Sequence, residues 1–121
     1  MEKVAGIGGI FFKASDPKAL QAWYAANLGL PVDENGTIVF EGSEGQTVWS
    51  LFPRDTTYFA PSTAPFMVNY RVTNLEAMLA QLRAAGARVD EKIDSSEFGK
   101  FGWALDPEGN RIELWEPPRK K

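Results

Sequence analysis

One acid stands where a strand is usually apolar. In the stretch LDPEGNRIELWEPP, residues 105–118, Glu113 follows Ile112 and precedes Leu114 and Trp115. Carboxylates mostly sit in water. Strand alternation can put this one on a wet face. Otherwise it has chemistry to do, as a general base or as the buried partner of an arginine. The chain has no histidine and no cysteine. The commonest general base and the commonest metal ligand are therefore missing. Disulfides, thiolate nucleophiles, Cys-ligated zinc and a Ser-His-Asp mechanism are excluded.

A length of 121 residues suits one domain with a real core. Net charge is −3, which argues against a nucleic-acid face, since that needs clustered cations. The basic PPRKK end reads as a solvated tail. No apolar run approaches a membrane span, and MEKVAGIGG lacks the charged-then-apolar signal-peptide pattern. The expectation is a soluble cytoplasmic protein with no nucleic-acid or membrane partner.

The elements that must position Glu113 come in two similar halves. IGGIFFKA, residues 7–14, reads as a strand, with Gly8 and Gly9 marking a bulge or a close approach. Ser15 or Asp16 can cap the next helix, Pro17 suits its first turn, and Gly29 and Pro31 end it. Leu20, Trp23, Tyr24 and Leu28 recur at helical spacing, which assigns Trp23 and Tyr24 to core packing. TIVFEG and QTVWSLF follow as strands around a GSEG turn.

Residues 54–65 carry no periodicity and read as a linker between module one, about 6–53, and module two, about 66–118. The linker contains Tyr58 and Phe59, and a plain connector is the favoured reading of it. Then the order repeats. FMVNYRV is a strand. TNLEAMLAQLRAAG is a helix with Thr73 and Glu76 placed for a capping box and Gly86 as its stop. Short strands follow at about residues 88–93, in KFGWALD and in NRIELWE, the last two joined by the turn residues of DPEGN. Neither half has enough core to stand alone. The expected fold is α+β, with paired βαβββ modules forming a curved mixed sheet around a cleft and the helices outside.

The segments FFKASDPKALQAWYAANLGLPV and DPEGNRIELWEPP give the chain its resemblance to the vicinal oxygen chelate (VOC) superfamily of glyoxalase, bleomycin-resistance and dioxygenase-like proteins. The resemblance spans about Gly6 to Pro118. Metal-dependent members hold a divalent ion with side chains from the first and last strands of each module, and the corresponding positions here are Gly9, Ser50, Met67 and Glu113. Only Glu113 keeps a ligand of the family type. Glycine offers no side chain, a thioether is soft, and a serine hydroxyl is weak and neutral, so no metal or other cofactor is expected. The resemblance also implies a homodimer.

Alternation then sets the cleft face. If Glu113 faces in, so do Arg111 and Trp115. If Met67 faces in, so do Asn69 and Arg71. Gly9, Phe11 and Lys13 share the matching face of the first strand, Val48, Ser50 and Phe52 form another wall, and Trp103 faces in from a neighbouring strand. Arg71 and Arg111 on the face of a single acid suggest a guanidinium-paired Glu113; Glu41 is the other acid they could meet. The candidate ligand-binding set is therefore Phe11, Lys13, Ser50, Phe52, Met67, Asn69, Arg71, Trp103, Arg111, Glu113 and Trp115. The leading expectation is metal-free binding of a small organic molecule between the modules. The alternative is a metal-independent isomerase or lyase with Glu113 as general base. A metal-dependent glyoxalase or dioxygenase-type enzyme ranks lower.

Overall fold

A computed structural model describes residues 1–119 of the chain. The two lysines that close the basic PPRKK end lie outside the described residues. The first half begins with strand β1 (Gly6–Ala14) and helix α1 (Pro17–Leu28), followed by strands β2 (Thr37–Gly42) and β3 (Gly45–Pro53). Asp16 caps α1 by accepting from the Ala19 amide at 3.1 Å, and Pro17 takes the first helical position. Gly29 ends the helix in the left-handed region at φ 66°, where a glycine has no side chain to strain.

The second half runs through β4 (Phe66–Arg71), α2 (Leu75–Ala84), β5 (Arg88–Val89), β6 (Asp94–Ser96), β7 (Gly99–Leu105) and β8 (Arg111–Glu116). The cap of α2 is Asn74, which accepts from the Ala77 amide at 3.0 Å, rather than Thr73. Glu76 reaches across to Lys100 at 3.1 Å instead of closing a capping box. The strand expected at 88–93 is only Arg88–Val89. Asp90 leaves it to accept from the Lys92 amide, and a separate short strand, β6, starts at Asp94.

All the strands join one mixed sheet in the order β2-β3-β1-β4-β8-β7-β5, with β6 also on β7. The two halves meet where β1 and β4 pair antiparallel. On either side of that seam each half repeats the same parallel pairing, β1 with β3 and β4 with β8. Register makes the repeat quantitative. Phe11 pairs with Ser50 as Asn69 pairs with Glu113, and Phe11 and Asn69 precede their caps, Asp16 and Asn74, by the same five residues. Ser50 and Glu113 are thus equivalent positions, as are Gly9 and Met67.

The helices cover one face of the curved sheet. Under α2 lies an aliphatic core of Val72, Leu75, Met78, Leu79 and Leu114. Helix α1 is held more loosely and buries no residue completely. Tyr24 packs edge-on against Phe12 and Trp49, but Trp23 and Leu28 remain more than half exposed, so the apolar stripe of α1 is only partly core. The opposite, concave face carries a second core of Phe11, Phe59, Met67 and Trp103. Phe59 belongs to the linker, which is therefore no plain connector. It folds into the cleft and its ring is completely buried there.

Candidate functional site

The turn in DPEGN sets the geometry around Glu113. Asp106 accepts from the amides of Glu108 and Asn110, both at 2.9 Å, and from the Asn110 side chain. These bonds, the Asn110 side chain first, hold the Asp106 carboxyl below its usual range. The tight turn registers β7 on β8 so that Trp103 stands directly opposite Glu113. On the other flank Asn69 pairs with Glu113 across the parallel β4–β8 ladder. Two flanking strands thus aim polar side chains at one carboxylate.

Glu113 is only 1 % exposed. Its Oε1 accepts from Asn69 Nδ2 at 2.6 Å, and its Oε2 accepts from Trp103 Nε1 at 2.8 Å. Oε2 also accepts from the hydroxyl of Tyr58, supplied by the linker. All three neighbours are donors, which complements a carboxylate with no proton of its own to donate. Burial, and then the adjacent Glu113 charge, push the Tyr58 phenol well above its ordinary range. Tyr58 therefore keeps its proton and donates it in the hydrogen bond to Glu113.

No arginine takes part. The expected guanidinium pairing is overturned, because each arginine reaches other partners. Arg71 donates to the carbonyls of Gln46 at 2.7 Å and Ile7 at 3.2 Å. Arg111 lies 5.2 Å above the Trp103 ring, donates to the Ala60 carbonyl, and stands 3.7 Å from Asp90. Glu41 instead accepts from Gln46 at 2.9 Å.

Beside this network opens a cavity of about 640 Å³. Its apolar walls are the rings of Phe11, Phe52, Phe98, Phe101 and Trp115, with Val39 and Val48. Phe101 and Trp115 stack nearly parallel at 6.0 Å, and Phe52 stacks on Tyr58 at 5.5 Å. Its polar groups are Thr37, Gln46, Ser50, Tyr58, Asn69 and Glu113. Thr37 and Ser50 share a hydrogen bond of 2.9 Å on the floor. Among the described residues, no lysine or arginine lines it. Gly8, at a register shift between Ile7 and Gly9, forms the last part of the wall.

The structure therefore brings Phe11, Ser50, Phe52, Asn69, Glu113 and Trp115 together around one space. Trp103 supports the site from behind through Glu113. Met67 is packed in the core with Phe59, and Lys13 lies 5.6 Å over the Phe59 ring, so neither reaches the cavity. Arg71 and Arg111 are held outside it. Tyr58, Phe98 and Phe101 were missed as site residues. Two adjacent aromatic residues in a linker were the available signal for Tyr58; nothing in the sequence marked Phe98.

The donor set does not suit a divalent ion. Of the four positions where the superfamily's metal-dependent members place ligands, Gly9 and Ser50 offer no anion, and the Met67 thioether is enclosed by aromatic rings. Both Glu113 oxygens already accept from neighbours. Among the described residues, no three acids gather in any other place that could hold an ion.

Comparisons with known proteins agree with this architecture. The chain superposes on methylmalonyl-CoA epimerase from Mycobacterium tuberculosis with a TM-score of 0.65 and 22 % identity, covering 96 % of this chain and 90 % of that one. A variant of the Streptomyces coelicolor methylmalonyl-CoA epimerase bound to 2-nitronate-propionyl-CoA gives 0.71 at 18 % identity, over 93 % and 94 %. A hypothetical protein from Bacillus halodurans C-125 gives 0.64 at 13 % identity, over 99 % and 97 %. At such identities the likeness is one of fold. No curated protein matches the chain significantly in sequence. The glyoxalase-like domain matches residues 9–115, nearly the whole chain. The chain is thus a member of the glyoxalase-like family, within the vicinal oxygen chelate superfamily.

Proposed function

We propose that this chain binds a small organic molecule in the aromatic cavity without the help of a metal ion. The observation that carries this reading is the state of Glu113. Glu113, the one acid of the wall among the described residues, already accepts from three donors, while six aromatic rings make up much of the rest. A volume of about 640 Å³ with a few placed polar groups is the character of a small-molecule site. A general base needs a lone pair aimed at its substrate. Here three donors already occupy the two carboxylate oxygens, which favours binding over proton abstraction by Glu113 in an isomerase or lyase.

We also propose a homodimer. Ile10 and Phe66 lie on the helix side of the central β1–β4 seam, between the two helices, and are 43 % and 49 % exposed. Closed two-fold pairing is the usual way to cover such residues.

The binding reading is tested by native mass spectrometry of protein purified under gentle conditions, followed by titration with flat aromatic probes. The expected result is one molecule bound per chain, and loss of binding in Val48→Trp, which fills the cavity. Absence of any bound species, together with no binding of any probe, would overturn the reading.

A further inference from the structure

Glu113 and its three donors leave one polar atom without a partner. Asn69 is 1 % exposed, and its Oδ1 makes no hydrogen bond. The amide orientation is fixed by Glu113. An ionised carboxylate can only accept, so the amide nitrogen must face it and the amide oxygen must face away. The oxygen then looks toward Gly8, where the bulge of β1 carries no side chain. A Cβ on Gly8 would run into Asn69 Oδ1 and come within 2.9 Å of the Trp115 ring. Gly8, Asn69 and Trp115 all line the cavity.

A buried acceptor without a donor costs free energy, and that cost is recovered when a ligand supplies the donor. The surroundings favour a donor over an acceptor. Glu113 stands directly beside the Asn69 amide, and among the described residues no cation lines the cavity. The nearest guanidinium, Arg71, is tied to two backbone carbonyls. Trp115, stacked on Phe101 and lining the cavity with Asn69, gives a flat body an aromatic wall to lie against.

We infer that Asn69 determines ligand specificity: its Oδ1 accepts a hydrogen bond from a flat aromatic molecule that presents a ring N–H or an amino group. This rests on the binding function proposed above and adds the chemical class of the ligand. Gly8 lets Asn69 Oδ1 and the Trp115 ring pack closely on β1 at the cavity wall; there Asn69 reads the donor edge of the molecule and Trp115 carries the ring. A molecule of the same shape with an ether oxygen in that place would leave Oδ1 unpaired and oppose it with a second acceptor. A site built for a donor rejects such an isostere.

Indole and benzofuran are the probes, since they match in shape and differ by one N–H against one oxygen. Their affinities are measured by calorimetry on the intact chain. Wild type should bind indole about tenfold more tightly than benzofuran. Asn69→Leu should reduce that ratio to about one. Gly8→Ala keeps the Asn69 amide and crowds its oxygen, and should weaken indole more than benzofuran. Equal binding of the two probes by wild type overturns the inference and leaves the binding function standing. A preference for indole that survives Asn69→Leu also overturns it. If Asn69→Leu does not fold, the Gly8→Ala comparison decides: an undiminished preference there defeats the inference. If neither probe binds wild type, the binding function falls and the inference with it.

Discussion

Tyr58 donates its hydroxyl to Glu113 across 55 residues of sequence, joining the linker to the last strand. The bond explains how an acid can stand between Ile112 and Leu114 in an aromatic wall. Glu113 is neither on a wet face nor paired with an arginine. It is solvated by the protein itself, through one phenol, one indole and one amide.

Removing the acid leaves donors with nothing to bond. Glu113→Ala is expected to cost about 3 kcal/mol or more, because the Trp103 and Asn69 donors stay buried without an acceptor. Glu113→Gln keeps one acceptor oxygen and should cost about 1–2 kcal/mol. Chemical denaturation of both variants beside wild type measures the difference. Equal stability of all three would mean that the network contributes nothing.

The phenol makes the same network sensitive to alkali. In the unfolded chain Tyr58 loses its proton near the ordinary value of 10.0, whereas the folded protein holds it to higher pH. Between those limits the unfolded state has released a proton that the native state keeps, so stability falls as pH rises above about 10. Tyr58→Phe should lose about 1 kcal/mol at neutral pH and show a shallower fall in alkali. Unfolding midpoints taken from pH 8 to pH 12 test this. A Tyr58→Phe curve parallel to wild type throughout would refute it.

Phe59 tests the role of the linker. A loose connector tolerates Phe59→Ala, but a buried ring seated against Met67 and Trp103 does not. The expected loss is about 3–5 kcal/mol, read as a lowered denaturation midpoint. A change of less than about 1 kcal/mol, within the range of ordinary surface substitutions, would return the linker to the role of connector.

Metal content follows from the donor chemistry. Elemental analysis of protein purified without chelator should find far less than one equivalent of zinc, nickel, manganese or iron. One equivalent of any of these, removed by Glu113→Gln, would sink the metal-free proposal.

Self-association follows from the uncovered seam. Sedimentation at micromolar concentration should give twice the chain mass, and Phe66→Glu should shift it toward one. A wild-type monomer at that concentration refutes the dimer.

Much of this fold was legible because local chemistry and global position agree at particular residues. Asp16, Pro17 and Gly29 bound α1 where their side chains or backbone freedom require it. DPEGN closes its hairpin, and alternation along RIELWE puts Glu113 and Trp115 on the cleft face. The equivalence of Gly9 with Met67 was readable by counting back from the two helix starts, whereas that of Ser50 with Glu113 rested on a loose match of TVWSLF to RIELWE until the strand register fixed it. The linker was not, because Tyr58 and Phe59 are placed by long-range contacts that leave no period in the chain. The arginines were misjudged for a related reason. Alternation gives a side chain its face, but a long guanidinium stem can carry its charge to carbonyls well away from its own Cα.

The seating of Phe59 has a consequence for how this cavity can change. The sheet supplies the floor of the cavity, but a loop supplies its stopper. Floor residues are bound by cross-strand register, where one altered side chain disturbs its neighbours on both flanking strands. A stopper answers only to the space it fills. Exchanging residues 54–65 for a shorter or smaller-sided segment would deepen the chamber toward Met67 and Lys13 while leaving every strand pairing intact. The shape of the cavity can thus change through one segment, at a cost in stability set by Phe59 and Tyr58, while the sheet keeps its pairings.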